Sequence, residues 1–212
     1  MEWTRSTNGT PSAAGKQITL SSVVGVLALQ GAFLAHQQSL ANLGVASREV
    51  RTPSDLEHVT ALVMPGGEST TMSHLLATSG LFNAIDARIK SGMPVFGTCA
   101  GMILLAHGVL DGRPDQTSFG AIDIDVRRNA YGRQVDSFEA DVSVDGLVED
   151  FHAVFIRAPQ IVRCGSEVTV LARHRGNVVL ARQGSVMVAS FHPELTDDTR
   201  IHSLFTGLLQ EV

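Results

Sequence analysis

The sequence predicts an α/β protein built on a mostly parallel sheet with added antiparallel strands. Three observations support this prediction. Short apolar runs alternate with amphipathic helical segments up to about residue 106. From about residue 121 the pattern changes to short strand-like segments separated by turn residues. The length of 212 residues, with 44% hydrophobic and 17% charged residues, fits one ordinary globular domain.

The first half of the chain is predicted to alternate between strands and helices. Its strands are uninterrupted apolar runs, which is typical of strands buried on both faces of a parallel sheet. They are predicted at residues 23–29, 47–51, 61–64 and 94–97. Helices are predicted at residues 32–43, 70–77, 81–90 and 100–106, the first of them ending at Gly44.

The second half is predicted to form shorter strands at residues 121–126, 137–144, 153–156, 167–172, 178–181 and 186–190. Turns are expected at Asp145-Gly146 and at Arg175-Gly176-Asn177, and the second of these is a good hairpin turn. A closing helix is predicted at residues 197–209.

Composition limits the classes of function. The 16 Lys and Arg residues and 21 Asp and Glu residues give a formal net charge of −5, which argues against binding to nucleic acid or to an anionic membrane. Two cysteines cannot form a disulfide framework, which fits a reducing, cytoplasmic setting. No uncharged apolar stretch approaches the ~20 residues of a membrane helix.

Residues 1–21 are expected to be a flexible extension outside a single domain formed by residues 22–212. Arg5 and Lys16 precede the apolar run at residues 23–29, an arrangement that also occurs in secretory signals. We interpret this run as a buried first strand, because the rest of the sheet needs it and it leads directly into an amphipathic segment.

The clearest chemical signal is Gly97-x-Cys99-x-Gly101, between a predicted strand and an apolar helix. It is the thiol counterpart of the G-x-S-x-G elbow, in which a sharp turn exposes the nucleophile. The glycines would allow close packing, and the helix N-terminus would favour a thiolate. The backbone N–H of Ala100 is a candidate oxyanion donor. Cys164 has no such frame and is interpreted as structural.

His192 is the predicted general base. Among the eight histidines, it alone follows an apolar strand and enters a proline-marked corner, His192-Pro193-Glu194. The carboxylate of Glu194 lies close enough along the chain to set the tautomer of the imidazole and to stabilise its protonated form. A cysteine with a base and an orienting carboxylate is the set needed for acyl transfer.

A glycine pair, Gly66-Gly67, follows the predicted strand at residues 61–64. Consecutive glycines let backbone N–H groups point into the cleft at the carboxyl end of an open α/β sheet. The N–H of Gly67, beside that of Ala100, would complete an oxyanion hole. The loop lacks the spacing and the lysine of a phosphate-binding loop, and a tight turn capped by Ser69 or Thr70 is the structural alternative.

Together these segments resemble the class I, or triad, glutamine amidotransferases, and within them the PdxT/SNO family, the glutaminase subunits of pyridoxal 5′-phosphate synthase. The resemblance covers about residues 22–210 and rests also on segments that other amidotransferases lack. These are Tyr131-Gly132-Arg133-Gln134-Val135-Asp136-Ser137-Phe138-Glu139 and Phe155-Ile156-Arg157-Ala158-Pro159. The resemblance implies a flavodoxin-like three-layer sandwich.

The resemblance also implies an activity, the hydrolysis of L-glutamine to L-glutamate and ammonia. The ammonia would pass to a synthase subunit of the PdxS/SNZ type in a hetero-oligomer. The implied triad is Cys99, His192 and Glu194, and the implied oxyanion hole is formed by Gly67 and Ala100. No metal and no cofactor is implied.

The family pattern assigns glutamine binding to Gly67, Glu68, Ser69, Arg128, Ile156 and Arg157. The chemistry is consistent with this assignment. Either arginine could bind the α-carboxylate of glutamine, and Glu68 or backbone carbonyl groups could bind its α-ammonium group.

Two other functions remain open from the sequence. One keeps the amide hydrolysis but delivers ammonia to a different biosynthetic synthase. The other is a redox sensor or chaperone of the same fold, with its reactive cysteine at the same junction. The pairing of His192 with Glu194 argues against this second function, because a sensor needs no general base for amide cleavage.

Overall fold

The computed structural model describes residues 22–113, 116–128 and 137–210. The predicted N-terminal extension lies outside the described residues. So does the segment at residues 131–136, which carries part of the family resemblance.

The described residues form strands and helices that alternate in the first half of the chain, as predicted. The strands are β1 (Val24–Leu27), β2 (Ser47–Val50), β3 (Ala61–Met64), β4 (Val95–Thr98), β5 (Ala106–Val109), β6 (Ile122–Arg127), β7 (Phe138–Val142), β8 (Phe151–Phe155), β9 (Gln160–Cys164), β10 (Thr169–His174), β11 (Asn177–Gln183) and β12 (Val186–Ala189). The helices are α1 (Phe33–Asn42), α2 (Pro53–Leu56), α3 (Ser69–Thr78), α4 (Leu81–Lys90), α5 (Ala100–Leu105) and α6 (Arg200–Gly207). Short 3-10 helices occur at Pro193–Leu195 and Leu208–Gln210.

The central sheet has the strand order β2-β1-β3-β4-β12-β11-β9-β6-β5, with β10 paired to β11. The run from β2 to β12 is parallel throughout. Strands β12, β11, β9 and β6 pair antiparallel, and β5 pairs parallel with β6. Strands β7 and β8 form a separate antiparallel hairpin. The predicted combination of a mostly parallel sheet with added antiparallel strands is therefore confirmed.

Helices cover both faces of the sheet, because alternate residues of each buried strand point to opposite sides. Leu62 and Val95 belong to the core cluster that includes side chains of α2, α3, α4 and α5. Val63 and Phe96 belong to the second cluster, together with side chains of α1, α6 and the β7–β8 hairpin. The result is a three-layer arrangement. None of the described helices is long and apolar enough to cross a membrane.

One α-helix and two strands were not predicted. Helix α2 has a clear signal, a capping box formed by Thr52 and Asp55 with Pro53 at its first position. Strand β5 occupies the end of the helix predicted at residues 100–106, because Ala106 pairs with β6 instead of continuing α5. Strand β9 is short, with polar residues among its five positions, and its pairing with β6 and β11 is non-local.

The hairpin turn predicted at residues 175–177 is confirmed between β10 and β11. Arg175 and Gly176 both have positive φ, 48° and 84°, as a two-residue type I′ turn requires. Helix α6 is shorter than the predicted span of residues 197–209, because it begins only at Arg200 and its last turn tightens into a 3-10 helix.

Candidate active site

The candidate site lies where three neighbouring parallel strands end. Gly66 and Gly67 follow β3, Cys99 follows β4, and His192 comes three residues after the end of β12. The carboxyl ends of parallel neighbours meet at one edge of the sheet, so these residues come together although they are far apart in the sequence. They line a cleft of about 370 Å3.

The predicted elbow is present at Cys99. The residue has φ 50° and ψ −104°, a strained conformation between β4 and α5. A side chain at Gly101 would overlap the carbonyl oxygen of Met64, and one at Gly97 would approach the backbone of Gly101 to 2.7 Å. Glycines are therefore needed on both sides of the cysteine so that β3, β4 and α5 can pack this closely.

His192 is held between Cys99 and Glu194. Its Nδ1 lies 2.8 Å from Oε1 of Glu194, and its ring and Cys99 both lie against Gly66 and line the cleft. With Nδ1 bound to the carboxylate, Nε2 is the ring nitrogen available to the sulfur. The side chain of His192 is 12% exposed and that of Glu194 is 0% exposed. The cleft therefore reaches the imidazole but not the carboxylate.

Electrostatics favour the charged forms of this pair. Burial alone would lower the pKa of His192, but hydrogen bonds with Cys99 and Glu194 and the charges of these groups raise it to about 10. Burial would raise the pKa of Glu194, but His36 and the hydrogen-bonded His192 lower it. A buried carboxylate beside a protonated imidazole is the arrangement that stabilises an imidazolium next to a reactive thiol.

Two further histidines extend this cluster, and sequence reasoning missed both. Nε2 of His36 lies 3.3 Å from Oε2 of Glu194, and Nδ1 of His36 lies 2.9 Å from Nε2 of His202. Both histidines are fully buried. The available signal was the place of His36 on the buried face of α1, three and four residues before Ser39 and Leu40. A buried histidine needs a hydrogen-bond partner, so its position on this face predicts a polar contact inside the protein.

The glycine loop lies against the histidine. A side chain at Gly66 would come within 2.5 Å of Cε1 of His192 and 3.4 Å of Cβ of Cys99. Gly67 lines the cleft beside them. Ala100 is the first residue of α5, so its N–H group has no acceptor within the helix. The side chain of Ala100 is buried and does not line the cleft, so only its backbone could take part in oxyanion binding.

Glu68 caps α3, so the alternative cap by Ser69 or Thr70 is wrong. Its carboxylate accepts hydrogen bonds from the backbone N–H groups of Thr70 and Thr71, at 3.1 and 2.7 Å. Partial burial would raise the pKa of Glu68, but these hydrogen bonds and those from the two threonine hydroxyl groups lower it to about 2. Its carboxylate is therefore partly occupied before any ligand arrives.

The residues that the family pattern assigns to glutamine binding all line the same cleft. These are Gly67, Glu68, Ser69, Arg128, Ile156 and Arg157. The guanidinium of Arg128 is held by Gln116 at 2.6 Å, Thr70 at 3.0 Å and Glu68 at 3.4 Å, and its side chain is 17% exposed. Arg157 has a φ of 43°, a second strained backbone position at the cleft.

Comparison with known proteins identifies the family of the chain. The model of the SNO glutamine amidotransferase family matches residues 26–211. A relative from Mycobacteroides abscessus, named pyridoxal 5′-phosphate synthase subunit PdxT, is 51% identical over 191 residues, which cover 90% of this chain and 99% of that protein. A relative of the same name from Herpetosiphon aurantiacus is 54% identical over 188 residues, covering 87% of this chain and 99% of that protein.

Solved structures show the same fold. A glutamine amidotransferase crystal structure matches with a TM-score of 0.83 and 49% identity, covering 88% of this chain and 98% of that one. PurLQS from Thermotoga maritima matches with a TM-score of 0.66 at 14% identity, covering 90% of this chain and 100% of that one. This second likeness concerns the fold alone. The three-layer, flavodoxin-like architecture implied by the resemblance is confirmed.

Proposed function

The chain belongs to the SNO glutamine amidotransferase family, and from that premise we propose that it is the glutaminase subunit of a pyridoxal 5′-phosphate synthase. It hydrolyses L-glutamine to L-glutamate and ammonia and passes the ammonia to the synthase subunit for vitamin B6 biosynthesis. The observation that carries the chemistry is the placement of Cys99 and His192 in one cleft at the edge of the sheet, with His192 hydrogen-bonded to the buried Glu194.

In the first half of the reaction, Cys99 is the nucleophile. Its sulfur attacks the carbon of the glutamine side-chain amide, and the thiol proton resides on His192. The negative charge that develops on the amide oxygen is stabilised by the backbone N–H groups of Gly67 and Ala100. His192 then gives its proton to the departing nitrogen, so that ammonia leaves and a glutamyl thioester remains.

In the second half, water hydrolyses the thioester. His192 takes a proton from the water as the oxygen bonds to the thioester carbon, and the carbon–sulfur bond breaks to release glutamate. The proton returns to the sulfur of Cys99. Glu194 stays ionised throughout, because it is already hydrogen-bonded to the imidazole and its pKa is lowered.

Glutamine is recognised at the more exposed side of the cleft. Arg128 binds the α-carboxylate of glutamine, because its guanidinium is already held by Thr70 and Gln116 and needs little further ordering. Arg157 and Ile156 also line the cleft, and Gly67 and Ser69 contribute backbone groups. Glu68 acts mainly by fixing Arg128 and the start of α3, since its carboxylate already accepts three hydrogen bonds from Thr70 and Thr71.

The proposed setting follows from this function. Residues 22–212 act as one glutaminase domain in a hetero-oligomer with the synthase subunit, in the cytoplasm. The names of the relatives support this choice of partner over another ammonia acceptor. The hydrogen bond between His192 and Glu194 supports amide hydrolysis over a redox-sensor function, because a sensing thiol needs no oriented base.

The test is a glutaminase assay of the chain in complex with a pyridoxal 5′-phosphate synthase subunit. Cys99→Ala and His192→Asn are each expected to reduce glutamate release by about 10³-fold or more, the loss typical of triad members. Cys164→Ala is the matched control, because Cys164 lies at the end of β9 away from the cleft, and it should keep full activity. Full glutamate release by either triad variant would refute the proposal.

A further inference from the structure

We propose that His36 is a positioning residue for the triad, and that His202 fixes the tautomer in which His36 acts. This inference rests on the proposed function, because it concerns the same site. Its basis is a series of side-chain contacts that runs inward from His192 at the cleft, through the buried Glu194, to the buried His36 and His202.

The contacts determine where the hydrogens of His36 must be. Nε2 of His36 faces Oε2 of Glu194 at 3.3 Å and Oγ1 of Thr98 at 3.3 Å. A lone pair on Nε2 would repel the carboxylate, so this nitrogen carries the hydrogen. Nδ1 of His36 must then accept, and the group that donates to it at 2.9 Å is Nε2–H of His202.

The other nitrogen of His202 completes this assignment. Its Nδ1 is buried and has no hydrogen-bond partner among the described residues. A hydrogen there would be a buried donor without an acceptor, which costs more than a buried lone pair. His202 is therefore neutral with its hydrogen on Nε2. Burial also lowers the pKa of His36, and it lowers that of His202 to about 3, which is consistent with two neutral rings.

Oε2 of Glu194 is buried and forms no hydrogen bond within the described residues, and Nε2 of His36 lies 3.3 Å from it. An unpaired carboxylate oxygen in the interior is costly, and the N–H group of His36 is placed to reduce that cost. A cationic partner would neutralise the charge that Glu194 offers to His192. A neutral imidazole whose Nε2–H turns toward Oε2 would satisfy that oxygen, hold the carboxylate plane so that Oε1 points at Nδ1 of His192, and leave the charge available.

Core packing alone does not account for these contacts. The rings of His36 and His202 lie edge-on to Phe96, with centroids 6.5 and 6.1 Å away, and an aromatic or aliphatic side chain would fill that space equally well. Two buried imidazoles instead add polar atoms that need partners. These polar atoms align with Glu194, from helices α1 and α6 on the same face of the sheet.

The first test measures steady-state kinetics of the complex with the synthase subunit for His36→Leu and His36→Gln. Leucine removes the donor to Glu194, and kcat should fall about 10- to 100-fold with little change in KM, as for other partners that orient active-site groups. Glutamine keeps an N–H group at the same distance along the side chain and should restore most of the activity. An unchanged kcat in His36→Leu, or a stable His36→Gln variant as impaired as His36→Leu, would contradict the proposal.

The second test does not need glutamine turnover. The rate of alkylation of Cys99 by iodoacetamide, followed on its own peptide by mass spectrometry, reports the thiolate as a function of pH. The ionisable groups facing His36 are Glu194 and His192 after β12 and His202 on α6. In His36→Leu the carboxylate loses its donor and is more easily protonated, so the acid limb of the profile should move to higher pH. An unmoved limb would contradict the proposal.

The third test reads the tautomers directly in the unsubstituted protein. Nitrogen NMR of the imidazoles should show His36 and His202 both neutral with hydrogen on Nε2, and His202→Leu should let His36 populate the Nδ1–H form. A charged His36, or one with hydrogen on Nδ1 in the unsubstituted protein, would overturn the assignment. If the protein released no glutamate at all, the proposed function would fail, while the alkylation and NMR results would still judge the positioning role.

Discussion

The two sides of the cleft differ in how their charged groups are held. On one side, Glu194 is fully buried and the imidazoles of His192 and His36 face its two oxygens. On the other side, Glu68 is 49% exposed, and its carboxylate accepts hydrogen bonds from the first turn of α3 and from Arg128. The two carboxylates at this edge of the sheet therefore have different roles. The first fixes a base, and the second fixes a helix end and an arginine.

In the proposed mechanism, this difference separates the reacting groups from those that recognise glutamine. The groups around Cys99 lie where water is largely excluded, so each hydrogen bond there is strong and a missing partner is costly. The groups around Arg128 lie nearer to solvent, where each contact contributes less. Substitutions on the buried side should therefore change kcat, and substitutions on the exposed side should change KM.

The sharpest test of this contrast replaces each carboxylate by its amide. Glu194→Gln should lower kcat by about 10²-fold or more, because a neutral amide can neither stabilise the imidazolium of His192 nor hold its tautomer. Glu68→Gln is the matched control, and it should change kcat by less than about threefold while raising KM. Glutaminase kinetics of the complex measure both values. A kcat loss of similar size in the two variants would show that the two sides do not differ in this way.

A second test moves the imidazole without changing any ionisable group. In Gly66→Ala the new methyl group would lie 2.5 Å from Cε1 of His192, and the ring must move from its position beside Cys99. We expect kcat to fall at least about tenfold, because a displacement near 1 Å at the reacting groups is that costly. Gly207→Ala is the control, since nothing lies within 4 Å of the added carbon and Gly207 is helical, so activity should be unchanged.

A third test addresses the exposed side. Arg128→Ala should raise KM for glutamine about tenfold with a small change in kcat, because the guanidinium would contact the α-carboxylate, away from the reacting amide. Arg127→Ala is the neighbouring control, because its exposed side chain lines a different surface depression. Circular dichroism would verify that both variants fold. A kcat loss without a KM change in Arg128→Ala would place this residue with the reacting groups instead.

The smallest expected effect is a pH dependence of stability. The pKa of His192 is about 10 in the folded protein against an ordinary value of 6.5, so the folded state keeps this proton at higher pH than the unfolded state. The resulting stabilisation is complete below pH 6.5 and is lost as the pH rises through 10. Cys99→Ala lacks the thiol that helps to raise this pKa. Its free energy of unfolding, measured with urea, should therefore fall less steeply between pH 7 and 10 than that of the unsubstituted protein. Equal slopes in the two proteins would show that Cys99 does not raise the pKa of His192.

Local sequence patterns determined much of this protein. Apolar runs of strand length fixed β1, β3, β4 and β12, because a strand buried on both faces has little room for polar residues. The glycines around Cys99 predicted the elbow, because only glycine fits where Gly101 packs on Met64. The short spacing of His192 and Glu194 predicted their hydrogen bond.

Only the tertiary structure decided which distant residues meet. His36 and His202 are 166 positions apart in the sequence. No local pattern predicts that α1 and α6 bring Nδ1 of His36 and Nε2 of His202 to 2.9 Å from each other, behind Glu194. The same holds for β9, because its pairing with β6 and β11 depends on the assembly of the sheet and not on a pattern in its own residues. Sequence periodicity reports which face of an element is buried. What that face contacts depends on the order in which the strands assemble, and this order is a property of the whole chain.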